Sequence, residues 1–321
     1  MRAVDKLTVH VLVDNTTDML SSRPAHVIPE LRVLMEAGME ELAGEALCSA
    51  QHGLALLLTA EVGQEKYTVL FDGGPDPYTI ERNGRHMGIA FGEIDAVVLS
   101  HGHFDHSEGL PKALQMIREA NGEKTVPLYV HPGAFVDRAM RLRDESILPL
   151  QAVPSMEAFK RHGAQVIASA ESEEILNGTF YLSGEIPRVS FERGLKGHLK
   201  KSPDGDWEDD PWIIDERFLA VQVRGKGLVI CTGCSHAGII NILTHARQVF
   251  PESALYGVIG GLHLVSPNED IIPETVREIK AFAPEIIIAG HCTGWRGIYA
   301  LINAFGEAVV DPLAVGSRHM L

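Results

Sequence analysis

The chain has 321 residues and a net charge of −15 with histidines neutral, from 28 Lys and Arg against 43 Asp and Glu. Hydrophobic residues make up 45% and charged residues 22%, which is enough apolar surface for a folded core and excludes a mainly disordered chain. The acidic balance excludes a general DNA or RNA binder, and apolar stretches such as residues 54–58 and 286–289 fall far short of the roughly 20 residues that span a bilayer.

Residues 7–13 alternate and are rich in Val and Leu, which predicts a strand. Residues 15–18 form a polar break. Residues 16–50 then read as an insertion, with a helix over 29–47 because Leu31, Leu34, Met35, Met39 and Leu42 recur at helical spacing. A hairpin follows over 54–60 and 67–71, turning at Gly63 and ending in Asp72-Gly73-Gly74-Pro75. Residues 95–100 predict a short buried strand that runs into His101. A helix is expected over 111–120, with Pro111 in its first turn. A strand is expected over 128–130 and a helix near 134–143.

Residues 184–211 are poor in structural signals and carry a basic run and then an acidic one. They read as a second insertion, a loop or lid, with a solvated surface loop the favoured reading. The pattern then recurs. A second hairpin spans 218–223 and 228–231, and a strand over 256–259 ends at Gly260-Gly261-Leu262-His263. A helix covers 273–282, and a strand over 285–289 ends at Gly290-His291. Hairpin, then strand ending in histidine, occurs in both halves. This predicts an α/β chain, one domain over 1–321, built from two sheets with helices outside. Residues 1–14 lack a basic run, an apolar core and a cleavage site, so no secretory signal is expected. Cys48, Cys231, Cys234 and Cys292 are irregularly spaced, which predicts reduced thiols and a cytoplasmic protein.

The strongest chemical signal is Ser100-His101-Gly102-His103-Phe104-Asp105-His106. It places three imidazoles and a carboxylate at the end of an apolar strand, just before a helix. In an extended segment residues two apart point the same way, so His101 and His103 can reach one metal. As the chain turns, Asp105 and His106 can swing to a second position. Nitrogen ligands with one carboxylate suit zinc, and also manganese or iron.

This His-x-His-x-Asp-His motif after a strand resembles the metal motif of the metallo-β-lactamase superfamily. The resemblance covers about residues 50–300. It implies an αββα sandwich, two β-sheets packed face to face with helices on the outer faces, and one or two divalent metals at one edge. Asp72 in Leu70-Phe71-Asp72-Gly73-Gly74 resembles the family's buried Asp that braces the histidine loop. His291 resembles the late histidine ligand. The segments 233–238, 260–264 and 290–294 are similar to one branch, with His52-Gly53-Leu54 and Glu185-Ile186-Pro187-Arg188 as further marks. That branch contains the dihydropterin-6-methyl-aminobenzene-ribofuranoside-phosphate synthases. Superfamily hydrolases usually carry a metal-bridging Asp at the end of the second hairpin. Here Cys234 stands there, with His236 two residues on. The usual middle histidine is not evident, and Asp215 and Glu216 lie near its place.

The expected metal set is therefore His101, His103, Asp105, His106, His236 and His291. His236 is favoured over Cys234, because a short turn should not aim both at one metal. Asp105 would orient a nucleophile and His263 would protonate a leaving group. Trp295 is a candidate for stacking on a planar substrate. Arg138, Arg141 and Arg143 read as a solvated helix face, and His131 as structural. The expected activity is hydrolysis of an ester, lactone or phosphodiester through metal-bound hydroxide, on a small-molecule substrate. The alternatives are a transferase that condenses a pterin diphosphate with an arylamine, and a metal-binding sensor without turnover.

Overall fold

The computed structural model describes residues 1–192 and 194–321. Two sheets face each other. The first has eight strands in the order Val27–Ile28, Arg318–Met320, Lys6–Val13, Ala55–Val62, Glu65–Phe71, Ala96–Val98, Val126–Val130 and Ala164–Ala168. The second has seven, in the order Glu173–Ile175, Phe180–Leu182, Phe218–Val223, Gly227–Thr232, Leu255–Gly261, Ile286–Gly290 and Val310–Pro312. Each contains an antiparallel hairpin that leads into a run of parallel strands.

Side-chain alternation explains the layers. On one face Val9, Leu56, Leu58, Val69 and Phe71 of the first sheet meet Leu182, Val221, Val229 and Ile288 of the second. Leu57, Leu70 and Val97 point the other way and pack under the helices Pro77–His86 and Leu110–Ala120. The second sheet is covered by Ile239–Val249, Ile272–Lys280 and Gly294–Phe305. Each fully buried Leu or Phe contributes about 1.5–3 kcal/mol. The result is the αββα sandwich. No described helix is long and apolar enough to cross a membrane.

Three segments depart from the sequence expectation. The helix expected over 29–47 covers only Glu30–Glu36. It stops because Gly38 adopts φ +101° and the Met39 N–H turns back to the Leu34 carbonyl. Residues 16–50 are also more than an insertion, since Val27–Ile28 pairs with Arg318–Met320 at the sheet edge.

The helix expected near 134–143 does not form. A short 3₁₀ turn, Pro132–Phe135, precedes the strand Arg138–Arg141. Residues 184–211 are not a plain loop either. They hold the hairpin strands His198–Lys201 and Trp207–Asp209. These join Arg138–Arg141 and Ile147–Pro149 in a third, four-stranded sheet. The physical reason is pairing between segments some 60 residues apart, which local periodicity cannot register.

The parallel strands of both sheets aim their C-terminal ends at one edge, the usual place for a site in α/β sheets. Close packing there depends on missing side chains. A Cβ on Gly109 would overlap the Gly73 carbonyl oxygen, and one on Gly233 would overlap the Ser100 side chain. Gly109→Ala is therefore expected to cost about 1–3 kcal/mol or more through overpacking, read as a lower urea midpoint with an unchanged slope. A wild-type midpoint would show that the Asp72–Gly74 loop can move aside freely.

Candidate metal centre

His101, His103, Asp105 and His106 occupy the turn after Ala96–Val98 and the short helix Phe104–Ser107. His236 follows Gly227–Thr232, His263 follows Leu255–Gly261 and His291 follows Ile286–Gly290. His101, His103 and His236 form one group of donor atoms, and Asp105, His106 and His291 form another. All six are buried.

Hydrogen bonds fix the ring tautomers. The Ser100 hydroxyl donates to Asp72 Oδ2 at 2.8 Å, so at the 2.9 Å contact between Ser100 Oγ and His101 Nδ1 it is the ring that donates. That leaves a lone pair on His101 Nε2. His106 Nδ1 donates to Asp72 Oδ2 at 2.7 Å, which frees His106 Nε2 in the same way. The Asn15 amide donates to the His291 carbonyl at 3.1 Å. Its oxygen therefore accepts from His291 Nδ1, also at 3.1 Å. His291 Nε2 then faces Asp105 Oδ2 at 3.4 Å.

The nitrogens left over converge. His101 Nε2 lies 3.1 Å from both His103 Nδ1 and His236 Nε2. A cluster of ring nitrogens at this spacing, each backed by a partner on its far side or buried without one, fits a divalent transition metal. Beyond these contacts, His103 Nε2, His236 Nδ1 and His291 Nε2 are buried with no hydrogen-bond partner among the described residues.

Electrostatics agree with that fit for His101, His103 and His236. Burial, reinforced by neighbouring imidazolium and Arg138 charges, pushes His101 well below the usual histidine value. Burial does the same to His103 and His236. Burial alone would also lower His106, but the Asp72 and Asp105 carboxylates outweigh it and raise His106 to about 9. For Asp105, burial is outweighed by His106 and His291, which hold it below the usual carboxylate range.

Cys234 and His236 both face the centre, contrary to the expectation that one turn could aim only one of them. Cys234 Sγ sits 3.2 Å from His106 Nε2 and groups with His101 and His106. The turn achieves this because Ser235 takes φ +62°, with its hydroxyl donating to the Gly261 carbonyl at 2.7 Å. Asp72, His263 and His291 also have positive φ, at +64°, +43° and +49°. Four non-glycine residues in this sparsely populated region at one site mark a backbone held in place by its surroundings.

Asp215 and Glu216 brace loops. Asp215 accepts the Gly102 N–H at 2.7 Å, and Glu216 accepts the N–H groups of His236 and Ala237 at 2.8 and 2.6 Å. Arg138 is buried, not on a solvated helix face. It pairs with Asp215 and Asp210 and donates to the Gly102 carbonyl at 2.8 Å. His131 is also buried and accepts from the Gly133 N–H at 3.0 Å. Trp295 is 70% exposed, with the Arg296 guanidinium 4.7 Å from its ring centroid.

His263 lines a cavity of about 300 Å³ together with His236, Ser235, Glu192, Lys196 and Asn268. Burial would lower His263, but Cys292, Glu216 and Asp105 raise it above the usual value.

Sequence reasoning missed several residues. Asp14 Oδ1 accepts the His291 N–H at 2.9 Å, and Asn15 orients the His291 ring. An Asp-Asn pair closing the first strand was the available signal, parallel to Asp72. His52 Nε2 lies 3.4 Å from Asp105 Oδ2. His198 sits beside His103 and His236, with ring centroids 5.6 and 5.8 Å away.

The chain is similar to several known proteins. The chain is 30% identical over 261 residues to the 7,8-dihydropterin-6-methyl-4-(β-D-ribofuranosyl)-aminobenzene-5′-phosphate synthase of Methanocaldococcus jannaschii, covering 80% of this chain and 86% of that protein. The chain belongs to the metallo-β-lactamase superfamily. A family profile described as the β-lactamase superfamily domain matches residues 67–175. A second protein of the same archaeon, functionally uncharacterised, is 30% identical over 256 residues, covering 78% of this chain and 88% of that protein. Among solved structures, a metal-dependent hydrolase of the β-lactamase superfamily superposes with a TM-score of 0.71 at 22% identity, covering 97% of this chain and 98% of that one.

Two outcomes follow from the braces. Asp72→Asn is expected to weaken zinc affinity roughly 10–100-fold while the fold persists, measured by competition with a chromogenic chelator. Unchanged affinity would reduce Asp72 to a turn residue. The second concerns Glu192, which accepts the N–H groups of Ile240 and Asn241 and which burial raises to about 7. A carboxyl raised in the folded state favours folding while protonated and loses that advantage as pH rises through the folded value. Between pH 5 and 8 the wild-type Tm should therefore fall more than that of Glu192→Gln. Parallel curves would show that Glu192 ionises without penalty.

Proposed function

We propose that the chain is a metal-dependent hydrolase acting on an ester, lactone or phosphodiester of a small molecule. The observation that carries this reading is the convergence of His101, His103 and His236 beside Asp105, next to the cavity lined by His263. In this reading His101, His103 and His236 hold one ion and Asp105, His106 and His291 hold a second. His236 is the ligand from its turn, and Cys234 sits between the sets as a neutral thiol, since burial raises it well above the usual value. Zinc fits the nitrogen-rich donors best, with manganese or iron(II) as alternatives. A bound divalent ion would polarise a substrate oxygen and make a water more acidic.

The chain's own groups supply the rest. Asp105 accepts a hydrogen bond from the attacking water, orients it towards the carbonyl or phosphoryl centre, and takes the proton that the water loses and passes it to solvent. As the water oxygen bonds to that centre, the bond to the leaving oxygen breaks. His263 gives that oxygen a proton. Four buried free cysteines suit the reducing cytoplasm proposed as its compartment.

The identity to the pterin-related synthase favours a second reading. There the same centre would hold a pterin diphosphate, an arylamine nitrogen would bond to the pterin methylene carbon, and diphosphate would leave. One panel separates the readings. Protein loaded with Zn²⁺ or Mn²⁺ is expected to release nitrophenol from bis-p-nitrophenyl phosphate. Diphosphate release that depends on an added arylamine would move the assignment to the synthase, and a metal-loaded but inert protein would leave the sensor. His103→Ala should lose most bound metal by plasma mass spectrometry. With cobalt, a near-ultraviolet thiolate band that vanishes in Cys234→Ser would overturn His236 as the sole ligand of its turn.

A further inference from the structure

His198 lies outside the six-residue donor set but against it. The small third sheet carries it there. His198 pairs with Met140 across the ladder, so His198 and Arg138 share one face of that sheet. Arg138 on that face reaches the histidine loop at the Gly102 carbonyl. His198 on the same face brings its ring to 5.6 Å from that of His103 and 5.8 Å from that of His236. The residue is 9% exposed, and its Nδ1 is buried with no hydrogen-bond partner among the described residues. It joins none of the groups whose donor atoms close on one another, so it is not a seventh donor of that set.

A buried ring nitrogen without a partner is costly unless something supplies the hydrogen bond. Among the described residues no group supplies it, which leaves this hydrogen bond open to a bound molecule. An imidazole always carries at least one ring N–H, so the ring has a hydrogen bond to give. Two residues earlier, the exposed Lys196 lines the cavity that His236 and His263 also line. Glu192 and Asp270 line it too, but the Glu192 carboxylate is engaged by the Ile240 and Asn241 N–H groups, and Asp270 is exposed to solvent.

We propose that His198 is a substrate-positioning residue that donates a hydrogen bond to an anionic substrate oxygen, phosphoryl or carboxylate, at the His101–His103–His236 group, with Lys196 adding a positive charge at the cavity. This rests on the metal-centre reading above and narrows its substrate class to anions. The third sheet then has a function, since it delivers both residues from one strand and the turn before it.

Calorimetric titration of the zinc-loaded protein tests this without turnover. Inorganic phosphate and acetate serve as separate probes for the two kinds of oxygen. Wild type should bind at least one of them. His198→Ala should raise that Kd about tenfold with zinc content unchanged, and His198→Gln, which keeps an N–H donor, should recover part of the loss. Lys196→Met should weaken binding by less and remove part of its salt dependence. Failure of wild type to bind either anion, an unchanged Kd in His198→Ala, or loss of zinc from His198→Gln would each overturn the proposal. A His198-dependent anion site in a protein that turns over no ester, lactone or phosphodiester would sink the hydrolase reading and leave this one standing.

Discussion

One buried carboxylate holds the centre together. Asp72 closes the strand Glu65–Phe71 and has no solvent exposure. Its Oδ1 accepts the Ser100 N–H at 2.7 Å, while Oδ2 accepts the Ser100 hydroxyl at 2.8 Å and His106 Nδ1 at 2.7 Å. Three charge-assisted hydrogen bonds to one fully buried group are strong, and loss of the acceptor would strand three donors. Through Ser100 the carboxylate also sets the tautomer of His101. Two rings from the two donor groups thus answer to one side chain, and its φ of +64° is held by the loop it organises.

The second layer of order comes from carboxylates that grip backbone instead of rings. Asp215, Glu216 and Asp14 accept the amides of Gly102, His236 and His291, one in each loop that presents a donor. Buried charges of this kind are costly unless paired. Arg138 meets that requirement for Asp215 and Asp210 and draws the third sheet onto the histidine loop. The net effect is three loops from three strand ends, each pinned at its backbone, so that the donor side chains need little reorganisation to meet an ion.

How much of this was legible in the sequence follows from range. His101, His103, Asp105 and His106 lie within six residues and advertise themselves locally, and Asp72 ends a strand whose pattern is clear. Both hairpins were legible as apolar runs joined by glycine turns, and the two-sheet plan as the recurrence of hairpin and histidine-ended strand in both halves. Arg138 was illegible because its partners, Asp210 and Asp215, are more than 70 residues away. Taken alone, the segment around it has helical composition, and pairing with His198–Lys201 overrides that preference. His198 was hidden for the same reason, inside a run of charges that reads as solvated loop. The Cys234 and His236 geometry was hidden in a single dihedral, since nothing in the letters announces a left-handed Ser235.

The two donor groups do not divide along the two sheets. His101 and His103 come from the first sheet and His236 from the second. Asp105 and His106 come from the first and His291 from the second. Each group is therefore complete only when the sandwich has closed, and closure is driven by the apolar face that both sheets share. Closure also forces ring nitrogens to within 3.1 Å of each other and buries them away from water. That arrangement opposes folding locally, and the shared core has to outweigh it. A ligand that binds the folded chain and not the unfolded one relieves the opposition by mass action, in proportion to the logarithm of its concentration over Kd. The sandwich thus couples assembly of its halves to occupancy of the centre, and the positive φ angles of Asp72, Ser235, His263 and His291 lie at the strand ends that meet there.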